Sequence, residues 1–270
     1  MELPEFVQPP VVEVVMSVQF EELSSFQPVH FGLLWERWRS RYPLTSHHAP
    51  IAPSVELYGA KGLEQASISF EETLPVGRCW YQSADKHSLV QVQPDRFTFN
   101  WRKIDDGTEY PRYERLKELF RAELEVFQLF LSDNNLGSAM PTQCELTYVN
   151  HLPQGIGWTR QADLHLVLSS WAPPESGGLL PEIEGVRLAW HYRFVDGDSL
   201  LGRLHVQAQS ARKKDDATPI IVLQMIARGS PGGDGMDGVF SFADRAHEWI
   251  VRGFAEITTR HMHTMWGRSR

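Results

Sequence analysis

Seven residues combine reactive or charged chemistry with spacing that gathers them on a sheet: Arg102, Glu145, Asn150, His191, Arg193, Arg203 and His205. His191 and Arg193 stand two apart, as do Arg203 and His205, and residues two apart in a strand point to the same face. Guanidinium forks match the paired oxygens of carboxylate and phosphate, so several arginines beside two histidines would form a pocket for a small anionic ligand. The competing account is a solvated outer sheet face, the normal outcome for alternating polar strands, whose cations pair with Glu145 and its neighbours. Glu13, Arg102, Glu145 and Asn150 are also hard to explain as packing, and they mark a polar cluster, structural or functional.

Other reactive residue types lack the spacing their chemistry needs. His247-Glu248 is followed by Trp249, Ile250 and Val251, so no second histidine completes a helical HExxH pair. His261 and His263 stand two apart on an expected helix and diverge, and no metal site is expected from these or from His47-His48. The sequence has no GxSxG elbow, no P-loop and no dinucleotide GxGxxG. GSPGGDGMDG, residues 229–238, is glycine-rich enough to cradle a phosphate, but it carries two aspartates and lacks the P-loop lysine. It reads as a connector. Cys79 and Cys144 are far apart with no CxxC neighbour, and in a reducing compartment they read as small buried hydrophobes. No cofactor is expected.

The elements that position these residues follow from periodicity. Val11 to Phe20 alternates, with Val12, Val14, Met16, Val18 and Phe20 against Glu13, Ser17 and Gln19, which predicts a strand. Phe31, Leu34, Trp35, Trp38 and Tyr42 keep helical spacing until Pro43. PLTSHHAPIAP, residues 43–53, reads as a loop. Strand-like runs at Ser54 to Gly59, Ala66 to Glu71, Arg78 to Ser83, Leu89 to Val92 and Arg96 to Arg102 predict an antiparallel meander. A helix follows from Pro111 to about Leu131, with Pro111 in its first turn. After Pro141 the order recurs: a strand (Gln143 to Leu152), a short helix (about Arg160 to Trp171), strands at Val186 to Val195, Leu200 to Arg212 and Pro219 to Arg228, then a helix from Phe242 to about Trp266. Ser241 and Asp244 form a capping-box pattern at its start.

The expected fold is therefore α+β. Two similar β-α-β(n)-α halves, 1–140 and 141–270, form antiparallel sheet covered on one face by two long helices. The stretch from Leu89 to Leu152 is the hinge of this duplication, which rests on element order and not on identity between the halves.

Composition narrows the function classes. The chain has 270 residues, 42% hydrophobic and 22% charged, the balance of a globular protein. A net charge of −8 argues against nucleic acid as the partner, because phosphate neutralisation leaves a basic footprint. No run approaches the length of a membrane span, and MELPEFVQPP is unlike a signal peptide, so a cytoplasmic protein is expected, with no membrane partner. Nine Trp and fourteen Phe favour broad packed faces or an apolar groove.

The segments PPVVEVVMSVQF (Pro9 to Phe20), DRFTFNWRK (Asp95 to Lys103), YPRYERLKELF (Tyr110 to Phe120) and QCELTYVNHL (Gln143 to Leu152) resemble a particular bacterial group, the sporadically distributed protein family. The ending FADRAHEWIVRGFAEITTRHMHTMWGR (Phe242 to Arg268) is similar to it as well. The resemblance spans nearly the whole chain. It implies no activity and no catalytic residues, only a patchy distribution that suits mobile defence, toxin-neutralising or other accessory genes. The reading that follows is a non-enzymatic binding or regulatory accessory protein acting through protein–protein contacts, with another protein as partner and a homodimer as a further arrangement. The alternative is a small anionic-ligand-binding protein, or an unrecognised hydrolase, using the Arg/His-lined sheet face.

Overall fold

The computed structural model describes residues 2–56, 76–172 and 179–270. Its strands are β1 (Val11–Phe20), β2 (Leu44–His48), β3 (Arg78–Gln82), β4 (Ser88–Gln93), β5 (Arg96–Arg102), β6 (Pro141–Pro153), β7 (Arg187–Asp196), β8 (Ser199–Arg212) and β9 (Pro219–Gly229). They form one sheet in the order β2-β3-β4-β5-β1-β6-β9-β8-β7, and every pairing is antiparallel. The fold is mixed α and β around this single nine-stranded layer. β1 and β6 lie side by side at its centre, and each is flanked by the last strand of its own meander, β5 and β9. At the β8–β9 pairing Gly202 faces Gly229, where a Cβ on either residue would collide with the opposing backbone.

The helices are α1 (Pro28–Trp38), α2 (Tyr113–Asp133), α3 (Gly235–Ile257) and α4 (Arg260–Met265). Aromatic side chains join them to the sheet. Phe120 and Phe127 of α2 meet Phe97 of β5 with ring centroids 6.0 and 5.4 Å apart, and Trp38 of α1 meets Tyr81 of β3 at 5.1 Å. On α3, Phe242 and Trp249 pack on Phe194 of β7 at 5.6 and 5.0 Å. Burying rings of this size supplies most of the apolar driving force, at roughly 25 cal/mol per Å² removed from water.

Several boundaries differ from the sequence reading. Leu44–His48, expected to be loop, is edge strand β2, exposed along most of its length and therefore free of the alternation that marks a buried strand. Helix α2 begins at Tyr113, not Pro111, because Arg112 adopts φ 69°, ψ 158° and breaks the turn. Helix α3 begins at Gly235, so half of the glycine-rich connector is helical and Ser241 lies inside the helix instead of capping it. It does not reach Trp266. At Thr258 the backbone turns extended and pairs with Leu168, while Thr259 N donates to Val167 O. That pairing also limits the expected 160–171 helix to a 3₁₀ turn at Gln161–Leu166. Of the runs read as strands at 54–59 and 66–71, residues 54–56 are not strand, and the rest lie outside the described residues.

The sheet face opposite Phe97 is polar, yet its central part is buried. Ser17, Gln19, Gln91, Gln93, Arg96, Thr98, Asn100, Gln143 and Thr147 are all under 9% exposed. Residues 51–56 cross this face as a strap and are gripped by glutamines. Gln93 donates to Ile51 O and accepts from Ile51 N, and Gln19 holds Ser54 in the same two-bond manner, at 2.9 to 3.0 Å. Gln143 accepts from Glu56 N at 3.1 Å. Each amide imitates ladder bonds that a further strand would make, so these glutamines and the strap backbone satisfy one another.

The strap carries Glu56, 8% exposed, whose carboxylate accepts from Arg203 Nη1 and contacts His205 Nε2, both at 2.5 Å, with Arg228 Nη1 at 3.6 Å. Burial pushes this carboxyl up, but hydrogen bonds from His205 and Arg203 and the nearby positive charge outweigh it and hold it below the ordinary value of 4.5. A carboxyl lowered by folding contributes stability above its unfolded pKa and loses it as the pH falls through the folded value. Glu56→Gln is therefore expected to destabilise the protein by about 2 kcal/mol at neutral pH, less than for a fully buried pair because Arg203 and His205 are about a quarter exposed. Urea denaturation at several pH values checks this. The difference from wild type should be full above pH 4.5 and close below it.

Candidate functional site

The structure divides the seven candidates. Cross-strand register places Arg102, Glu145, His191, Arg193, Arg203 and His205 on the strap-bearing face: Arg102 opposes Glu13, Glu145 opposes Arg228, His191 opposes His205, and Arg193 opposes Arg203. Asn150 is on the other face, in phase with Leu146, Tyr148 and Leu152, and its amide donates to Leu223 O at 3.1 Å. The expected polar cluster of Glu13, Arg102, Glu145 and Asn150 is thus not a cluster. One strand places Glu145 and Asn150 on opposite sides because five residues separate them.

The chain itself answers the cations around Arg203. Glu56 holds Arg203 and His205, and Arg228 Nε donates to Glu145 Oε2 at 2.7 Å. An incoming anion at this place would have to displace a buried carboxylate. His191 and Arg193 are exposed on edge strand β7. The remaining histidines are engaged elsewhere: the His48 ring lies 4.0 Å from Trp80, His261 contacts Gly157 O, and His263 contacts Thr258 Oγ1. Among the described residues no three His, Cys, Asp or Glu side chains could hold a metal ion. Both cysteines are buried and free, and burial pushes the Cys144 thiol up to about 12, which removes it as a nucleophile.

A cavity of about 510 Å³ opens on the helix side of the sheet, where the segment 2–11 crosses the start of α2, the middle of α3 and β6. Phe6, Val11, Ile250, Val251 and Phe254 give it an apolar wall. Its wall also carries Tyr110, Tyr113, Tyr148, Asn150 and His247. Residues 5–8 are tied down by pairing with the chain end: Val7 N donates to Gly267 O, Gln8 N to Trp266 O, and Ser269 N to Glu5 O. Phe6 fits edge-on against Phe254 and Trp266.

Three polar groups in the cavity form a chain. Tyr110 Oη lies 2.9 Å from Tyr148 Oη, which lies 3.0 Å from His247 Nδ1. The Tyr113 ring stacks on the His247 imidazole at 4.0 Å and 5°. Burial lowers His247 to about 4, so the ring is neutral near pH 7. Burial also pushes Tyr110 up to about 12 and Tyr148 well above the ordinary phenol value. Asp244, one turn before His247, is occupied by Tyr113 Oη and Lys117 Nζ, each at 2.7 Å. No acid–base partner of the kind that activates a histidine is therefore presented to the imidazole by Asp244. With a neutral ring the chain runs in either sense: Tyr110 to Tyr148 to Nδ1, or Nδ1–H to Tyr148 to Tyr110. The Tyr110 end thus serves as acceptor in one sense and donor in the other.

Arg112 borders the same cavity with its left-handed φ, a backbone conformation that costs on the order of 1–3 kcal/mol for a residue other than glycine. It brings the guanidinium 5.8 Å over the Tyr110 ring and within 3.2 Å of Phe6 O. Sequence reading missed this site. Pro111 marks an expected helix start beside Tyr110, and Tyr148 falls in an expected strand, but nothing local in sequence joins residues 6, 110, 148 and 247.

The neutral imidazole gives a pH test. An unfolded histidine takes up a proton at about 6.5, whereas the folded His247 resists until about 4, so stability falls as pH drops through that window. His247→Gln is expected to lose about 2–3 kcal/mol less stability than wild type between those limits in chemical denaturation. His151 and His263 are lowered in the same direction but are present in both proteins, so the comparison isolates His247.

Comparison of the chain with protein-family models, with curated proteins and with solved structures yields no match.

Proposed function

We propose that this is a non-enzymatic binding protein whose ligand is a small, largely apolar molecule held in the Tyr110–Tyr148–His247 cavity. The cavity carries the reading. Its volume falls within the range of small-ligand pockets, and its apolar wall meets a few convergent polar groups, the usual composition of such sites. Tyr110 fixes the orientation of one hydroxyl or carbonyl group, and Phe6, Ile250 and Phe254 take the remainder. The raised phenols and lowered imidazole favour binding over catalysis, since the phenols are weak acids and an imidazole held at about 4 is a weak base.

A regulatory role through another protein is the second reading. The ten-residue strand β7 ends the sheet, paired only with β8 among the described residues, and exposes Tyr192. An open edge of this length accepts a further strand from a partner or from a second copy. The strand order, symmetric about β1 and β6, supports retaining two like-ordered halves within this reading. A place in a mobile defence or toxin-neutralising locus belongs to the same proposal and adds no residue to the site.

A neutral naphthalene fluorophore tests the cavity. Wild type is expected to bind it saturably, Val251→Trp to bind at least tenfold more weakly by filling the space, and Tyr110→Phe about fivefold more weakly through the lost hydrogen bond. Equal affinities in all three proteins would overturn the cavity as the binding site.

A further inference from the structure

On the polar face, away from the cavity and from Glu56, Arg102 leaves two buried donors unanswered. Its Nε and Nη2 are out of contact with water and have no hydrogen-bond partner among the described residues. Together these atoms make the side-on guanidinium fork, two parallel N–H groups spaced for the two oxygens of one anion. Its cross-strand neighbour Glu13 does not supply them, since that carboxylate accepts from Asn100 Nδ2 at 2.8 Å and makes no ion pair with Arg102 among the described residues.

The surroundings reinforce the deficit. The Arg102 and Arg78 guanidinium carbons lie 5.7 and 5.5 Å from the Trp80 ring centroid. Arg78 Nε and Trp80 Nε1 are likewise buried, so among the described residues the indole N–H and three guanidinium donors beside it face no acceptor. Arg78 spends Nη1 on Gln91 Oε1 at 2.7 Å. Burial and the like charge of Arg96 also push Arg78 below the ordinary arginine value. Arg102 and Arg78 are half-buried, but N–H donors shut off from water without an acceptor are costly in a fold, and such groups ordinarily mark a missing partner.

We infer that Arg102, with Arg78 and Trp80, forms an oxyanion site that takes a carboxylate or phosphate group on the Arg102 fork. This site is independent of the apolar cavity, because Arg102 and Tyr148 belong to opposite faces of the sheet.

The test uses the full chain in chloride buffer, with inorganic phosphate in one arm and acetate in the other at matched ionic strength. Wild type is expected to show a saturable rise in melting temperature in at least one arm, and the responding arm distinguishes phosphate from carboxylate. Arg102→Met and Arg102→Lys should each lose at least tenfold in apparent affinity, because neither supplies a two-donor fork. Arg193→Met on exposed β7 and Val251→Trp in the cavity should respond as wild type does. In chloride alone Arg102→Met should melt at or above the wild-type temperature, since it removes two unanswered buried donors. Three results overturn the site: no response beyond chloride, an undiminished response in Arg102→Met, or a marked loss of melting temperature in that variant without added anion.

Discussion

A sheet whose middle strands are buried on both faces must satisfy its polar atoms from within the chain, and this constraint shapes the rest of the molecule. On β5 the apolar set Phe97, Phe99 and Trp101 alternates with Arg96, Thr98 and Asn100, and both sets are buried. The apolar set needs only helices over it. The polar set needs partners in specific directions, and these come from Gln19, Gln93 and Gln143, which clasp the strap backbone, and from neighbours such as Gln91, which donates to Asn100 at 2.7 Å. Neutral amides suit this task because each carries donor and acceptor together and has no charge to desolvate.

Charges on this face then fall into two groups according to whether a carboxylate can reach them. Toward β8 and β9 the strap delivers Glu56, and β6 delivers Glu145, so Arg203, His205 and Arg228 are neutralised. Toward β3 the register brings Glu13 beside Arg102, and Asn100 Nδ2 donates to it. The anion expected from the arginine and histidine pattern is therefore already present in covalent form at one end of the face, and the requirement for one persists at the other.

Local periodicity accounts for most of the elements. It reveals β1, the α1 stripe at Phe31, Leu34 and Trp38, and the long stripe of α2, because each buries one face against a continuous core. It fails at β2, where an exposed edge has no apolar phase, and at Thr258, where α3 yields to backbone pairing with a segment ninety residues earlier in the chain. The parity of β6 was equally legible, yet grouping Glu145 with Asn150 by polarity alone overlooked it. Glu56 escaped notice for another reason: it lies in a stretch without secondary structure, and only the fold carries it to Arg203, 147 residues away.

The same logic explains why the cavity lies on the apolar side. Phe120 and Phe127 of α2 and Phe242 and Trp249 of α3 set rings against strands β5 and β7, but near Tyr148 the neighbour is the irregular segment 2–11, rich in proline and unable to interdigitate as a helix does. Phe6 is held by the chain end through backbone bonds at residues 266–269, so the wall is fixed without filling the space behind it. Tyr110, Tyr148 and His247 satisfy one another along this boundary, and because the neutral chain can reverse its sense, the polar end of the cavity accommodates either a donor or an acceptor without moving a heavy atom. An apolar space bounded by such a chain has polar groups that need no outside partner and can still meet one of either kind, a combination that a tightly packed core does not require.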